Sequence, residues 1–145
     1  MLTSSPTDSA RAARLRLAIT RTARRLRQEA NADLSPSLTS ALASIESHGP
    51  VTPSELASCE RVQRPTITRV LARLAELDLI EREADPDDGR STLITITAAG
   101  RSLLEDLRSR RDAFLADRLS KLSKEDRAVL DRASEVLESL LEDHR

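Results

Sequence analysis

The chain of 145 residues is nearly empty of aromatic side chains: it has no Trp, no Tyr and a single Phe, Phe114. A core built without rings must come from Leu, Ile, Val and Ala, a set that suits helix packing better than a sheet sandwich. Cysteine is as scarce. Cys59 stands alone, so no intrachain disulfide can form and no secreted disulfide scaffold is implied. No apolar run approaches the length of a membrane span. Residues 1–9 are polar and hold no apolar signal core, so a cytoplasmic protein with no membrane partner is expected. The only histidines, His48 and His144, are far apart. With no His/Cys cluster at metal spacing, no Gly-rich phosphate loop and no Gly-x-Ser-x-Gly, neither an enzyme nor a metal or cofactor is expected.

Excess charge of one sign is also missing. Lys and Arg number 23, Asp and Glu 24, and the net charge is −1. Binding to a polyanion would have to come from local placement of arginine. One stretch offers it: Glu60 is followed by Arg61, Arg64, Arg69 and Arg73 before the next acid, Glu76. Such a run, taken alone, is a solvated helix face.

What is present is helical periodicity. Leu15, Ile19, Ala23, Leu26 and Ala30 recur every three or four residues, which predicts a helix over residues 8–30. Ser35-Pro36 opens a second helix with Leu38, Leu42 and Ile45 inward. His48-Gly49-Pro50 ends it, with Gly49 expected in the left-handed position and His48 beside the negative end of the dipole. Thr52 and Glu55 form a capping box, with Pro53 at the first helical position and Val51 and Leu56 as a hydrophobic staple. This short helix ends near Glu60 or Arg61, and Cys59 reads as a small packed residue on it.

The helix expected over 65–77 is amphipathic. Ile67, Val70, Leu71, Leu74 and Leu77 face inward, while Thr66, Arg69, Ala72, Arg73 and Glu76 point outward and Thr68 lies on a flank. Strand-type runs at 79–83 and 92–97 flank Asp85-Pro86-Asp87-Asp88-Gly89-Arg90, whose turn chemistry makes a hairpin. Two further helices follow, capped by Thr97 and by Ser123 with Asp126. The apolar stripes of three long helices exceed what one small winged domain can cover. The economical solution is a homodimer in which two chains cover each other.

Two packed helices followed by a charged hairpin form a device for entering a major groove and touching the adjacent minor groove. The order of elements resembles the MarR family of bacterial winged-helix transcription regulators over nearly the whole chain. The most specific match runs through Leu56-Ala57, the helix from Thr66 to Leu74, Leu79-Ile80-Glu81-Arg82, the Asp-Pro-x-Asp-x-Arg wing, Ile96-Thr97 and Gly100. Gly89 departs from it, standing where many members carry Arg or Lys, and so does Pro65 at the start of the recognition helix. The resemblance implies a mainly α fold with a small β-hairpin wing in a single domain over 1–145. Residues 8–31 and 98–145 would be dimerisation helices and residues 35–97 the winged helix-turn-helix. It also implies a homodimer on a pseudo-palindromic double-stranded operator, usually a repressor, released by a small aromatic or phenolic ligand or by cysteine oxidation. The ligand's residues are not identified.

The residues expected to meet DNA follow from chemistry. The start of the recognition helix offers free N–H groups and positive dipole, but Pro65 has no N–H, so Thr66 and its neighbours must supply the donors. Thr66 and Thr68 suit phosphate or a thymine methyl, and Arg69 and Arg73, one turn apart, suit guanine edges or phosphates. Gln63 and Arg64 precede them, and Ser54 starts the preceding helix. Arg90 at the wing tip is the minor-groove arginine. Asp88 is expected either to pair with an arginine and fix the wing or to serve as a turn-former, and Arg82 is a phosphate contact on the first wing strand. The competing reading is a winged module that binds protein without specific DNA affinity.

Overall fold

The computed structural model describes residues 7–30 and 34–142. Its elements are α1 (Asp8–Ala30), α2 (Pro36–His48), α3 (Pro53–Glu60), α4 (Arg64–Glu76), β1 (Ile80–Ala84), β2 (Thr92–Ile96), α5 (Ala98–Ser120) and α6 (Lys124–Leu141). Residues 1–6, Asn31 at the expected end of the first dimerisation helix, and His144 lie outside the described residues. Contacts divide the chain into two units, one ending at Arg111 and one starting at Asp112.

Helix starts follow their side chains. The Ser35 hydroxyl accepts from the N–H of Leu38 at 3.3 Å. Thr52 and Glu55 close the capping box with bonds of 3.2 and 2.9 Å. Gln63 caps α4 without a side-chain bond, and the helix begins at Arg64, one residue earlier than expected. Pro65 therefore lies at the second helical position, still within the turn whose N–H groups have no intrahelical partner.

The core of the first unit gathers Leu42, Ile45, Leu56, Ile67, Leu71, Leu74, Ile80, Ile94, Ile96 and Leu104, among others. Four helices, α2 to α5, and a hairpin thus share one apolar centre. Strands β1 and β2 pair antiparallel with Ile80 opposite Ile96 and Ala84 opposite Thr92. A bridge between Val51 and Ile94, with bonds of 3.1 and 2.7 Å, pins the hairpin to the segment between α2 and α3. Thr97 joins hairpin and helix: its hydroxyl donates to the Asp78 carbonyl at 2.8 Å and accepts from the Gly100 N–H at 3.0 Å.

Three expectations are corrected. Gly49 is extended (φ −65°, ψ 152°), not left-handed. Glycine is needed there because a Cβ would lie 2.5 Å from the Ile45 carbonyl oxygen. Leu77 is 37% exposed because α4 has ended and the helical phase no longer carries it inward. Cys59 is exposed, since the short α3 buries only Leu56 and Ala57.

Helices α1 and α6 keep their apolar stripes largely outside. In α1 only Ala30 is buried, and Leu15, Leu17 and Ile19 are exposed. In the second unit α6 starts on the Ser123 cap, which accepts from the Asp126 N–H at 3.0 Å, and has no buried residue. Val129, Leu130, Val136, Leu140 and Leu141 are all exposed.

Candidate nucleic-acid interface

Helix α4 is half core and half surface. Ile67, Leu71 and Leu74 are buried and Val70 and Thr66 half-buried, which turns Pro65, Thr68, Arg69, Ala72 and Arg73 to solvent. The guanidinium of Arg69 has no partner among the described residues. Arg73 meets Glu76 at 3.1 Å, in an ion pair whose side chains are more than half exposed. A helix-surface pair three residues apart contributes roughly 0.2–0.5 kcal/mol, so a phosphate or a guanine edge can displace Glu76 at little cost.

Two of the expected residues are joined directly. Arg64, in the first turn of α4, donates through Nη1 to Ser54 Oγ, near the start of α3. Arg64 therefore ties two helix starts together. Thr68 donates its hydroxyl back to the Arg64 carbonyl at 2.9 Å, and its oxygen remains open as an acceptor. Gln63 is exposed at the turn before α4.

The hairpin tip is built from acidic side chains folded onto backbone. Asp85 accepts from the Asp87 N–H at 2.9 Å, and Asp88 from the Arg90 N–H at 3.1 Å. The loop is closed by Asp85 N–H to Ser91 O and Ser91 N–H to Asp88 O, each 2.9 Å. Asp88 takes the turn-forming role, and no arginine side chain pairs with it among the described residues. Its oxygen is close to a backbone N–H only two residues on, which satisfies it locally. The Arg90 side chain is left exposed, as is Arg82 on β1. No hydrogen bond or ion pair joins Arg82 or Arg90 to α4 among the described residues.

One polar contact had no signal in the sequence. Glu60, the last residue of α3, accepts from the hydroxyls of Ser40 at 2.7 Å and Ser44 at 2.5 Å. Ser40 and Ser44 share one face of α2 by their spacing of four, but nothing local ties that pair to an acid 16 and 20 positions away. Among the described residues no group of three or more His, Cys, Asp or Glu could hold a metal, and no helix is long and apolar enough to cross a membrane.

The comparisons with known proteins agree with this geometry. The model of the MarR family matches residues 34–92, the stretch holding α2, α3, α4 and most of the hairpin. An HTH-type transcriptional regulator of Mycobacterium leprae is 36% identical over 137 residues, covering 94% of this chain and 96% of that protein. The chain belongs to the MarR family. It is a transcriptional regulator of that family, whose members are DNA-binding proteins and not enzymes. A putative transcriptional regulator of Pseudomonas aeruginosa superposes with a TM-score of 0.83 at 36% identity, over 93% of this chain and 97% of that one. A Staphylococcus aureus MepR mutant, solved bound to an oligodeoxyribonucleotide, shares the MarR fold at 23% identity, with a TM-score of 0.70 over 89% of this chain and 96% of that one.

Proposed function

We propose that this MarR-family chain is a homodimeric repressor of a pseudo-palindromic operator. One α4 of each copy reads a major groove and one hairpin tip reaches the neighbouring minor groove. The carrying observation is the outward arginine set of a single folded unit: Arg69 and Arg73 on the exposed face of α4, with Arg90 exposed at a hairpin tip whose Asp85 and Asp88 carboxylates are held on backbone N–H groups. Arg69 and Arg73 meet base edges or phosphates, Thr66 and Thr68 phosphates, and Arg82 and Arg90 the backbone and minor groove. Ser54, Gln63, Arg64 and Pro65 shape the entry to the helix, and Asp88 shapes the wing.

The dimer is supported by the apolar side chains left uncovered on α1 and α6, including Leu15, Leu17 and Ile19 on one and Val129, Leu140 and Leu141 on the other. In this reading residues 8–31 and 98–145 serve dimerisation, residues 35–97 serve DNA, and the protein works in the cytoplasm, where its operator is. Two-fold symmetry then sets the half-sites roughly 34–36 Å apart.

Release by a small molecule is supported by a cleft of about 490 Å³ in the first unit, lined by Arg24, Arg27, Gln28, Thr39 and Arg111 among others. Nε of Arg111 is buried there without a hydrogen-bond partner among the described residues. Three guanidinium groups suit an aromatic ligand that carries a phenolate or carboxylate. Selection of bound fragments from the source genome, followed by footprinting, tests the whole reading. A protected site with two-fold symmetry is expected, and recovery of fragments without any shared sequence would refute it.

A further inference from the structure

Glu60 is misplaced on electrostatic grounds. A carboxylate is least favoured at a helix C-terminus, where the backbone dipole is negative, and Glu60 ends α3. It also opens the arginine-rich stretch that the proposed function turns toward phosphate. Something else must hold an acid there, and the geometry supplies it. Its two carboxylate oxygens each accept from one serine of α2, Oε2 from Ser40 and Oε1 from Ser44. Hydrogen bonds to an ionised acceptor are stronger than neutral ones.

The turn that follows is short. Arg61 takes the left-handed conformation (φ 54°, ψ 43°), unusual for a residue with a side chain. Its N–H bonds to the Ser58 carbonyl at 3.2 Å, and the Val62 N–H bonds to the Ala57 carbonyl at 3.0 Å. Gln63 then caps α4. With three residues between the helices, the end of α3 sets the direction in which α4 leaves.

We propose that Glu60 is a positioning residue for the recognition helix: its bridge to Ser40 and Ser44 fixes the α3–α4 turn so that Arg69 and Arg73 meet base edges in register. This inference rests on the DNA-reading role proposed above for α4. Glu60 itself touches no DNA. It confers discrimination between sequences, not bulk attraction.

The test compares variants on two duplexes, the fragment recovered by genomic selection and a scrambled duplex of equal length. If Glu60 were only a charge near phosphate, E60Q and E60A would both tighten binding to both duplexes. A clamp separates them. Gln can bond both hydroxyls, one as acceptor and one as donor, so E60Q keeps the operator preference. E60A lowers operator affinity about tenfold, with the scrambled duplex within about twofold. The S40A/S44A double variant matches E60A, and adding E60A to it costs nothing further. Equal behaviour of E60A and E60Q, or losses that add, overturns the proposal.

Amide hydrogen exchange in the free protein separates this from failure of the DNA reading. Exchange across residues 61–66 rises at least about threefold in E60A and not in E60Q. Unchanged exchange in E60A overturns the clamp whatever DNA does. If wild type prefers no sequence while exchange behaves as stated, the DNA reading falls and the clamp on the turn stands.

Discussion

The carboxylate of Asp88 accepts a hydrogen bond from the backbone N–H of Arg90 at 3.1 Å, so an acid shapes the very loop that carries the exposed arginine. Charge counting and geometry then disagree about Asp88. Removing an acid beside phosphates should strengthen binding, yet removing this one frees the backbone that aims Arg90. Asp88→Ala is expected to weaken operator binding several-fold, whereas Asp88→Asn, which keeps an acceptor oxygen, stays near wild type. Arg90→Ala should weaken operator binding with the melting temperature unchanged. Titration of a labelled operator, paired with a thermal melt, checks all three; unchanged affinity in R90A removes the wing from the mechanism.

On α4 the two arginines start from different states. Arg69 has no partner among the described residues, while Arg73 must leave Glu76. Replacing Arg69 by Ala should cost about 1–3 kcal/mol if it bonds a guanine edge. If it bonds phosphate instead, the loss is uniform across sequences and the slope of log affinity against log salt falls by about 1. Glu76→Gln should tighten binding, since it frees Arg73 from a weak surface pair and also removes an acid beside phosphate. Affinities at a series of salt concentrations separate the cases, and a flat salt response in wild type would remove phosphate neutralisation altogether.

What the sequence disclosed and what it withheld divide along a physical line. Helix starts are legible because Ser35, Thr52 with Glu55, and Ser123 bond to N–H groups three residues away. The wing was legible because Asp-Pro and Asp-Gly act on their own backbone. The buried face of α4 followed from its period, and failed at Leu77, where the helix has stopped and the period means nothing. Contacts between distant residues left no such trace. The Val51–Ile94 bridge, the Glu60–Ser40–Ser44 cluster and the Arg64–Ser54 bond join positions whose meeting depends on how whole helices dock. Gly49 shows a subtler limit: its place after His48 suggests a left-handed cap, but the Ile45 carbonyl oxygen standing 2.5 Å from where a Cβ would be is what requires glycine.

Local and tertiary contributions can be told apart by stability. Thr52→Ala removes one side of the capping box and should cost about 1 kcal/mol, a fall of about 3 °C in melting temperature. Gly100→Ala is a different case. A Cβ there would sit 2.4 Å from the Leu79 carbonyl oxygen and 2.7 Å from Ile96 Cγ1, so helix propensity gains nothing against the clash with the hairpin. Its expected cost is about 1–3 kcal/mol. Thermal melts at one fixed protein concentration measure both. A Gly100→Ala protein as stable as wild type would show that α5 does not approach the hairpin this closely.

The exposed stripe of α6 makes the last prediction, because the proposed dimer would cover it. Leu140 is 66% and Val129 65% exposed, and no residue of the helix is buried. A helix that amphipathic cannot stay in water at no cost. Sedimentation equilibrium should return twice the 16.0 kDa chain mass for wild type. Leu140→Glu with Val136→Glu should return the chain mass alone, since a dimer would bury two such acids on each side of its symmetry axis. Those monomers keep Arg69, Arg73 and Arg90, so weak, salt-sensitive binding to any duplex should survive. Operator preference should collapse, because two linked recognition helices bind one site with an effective concentration that separate ones lack. A double variant that remains dimeric would place the contact on another helix. One that is monomeric yet binds the operator as wild type does would overturn the paired-helix mechanism itself.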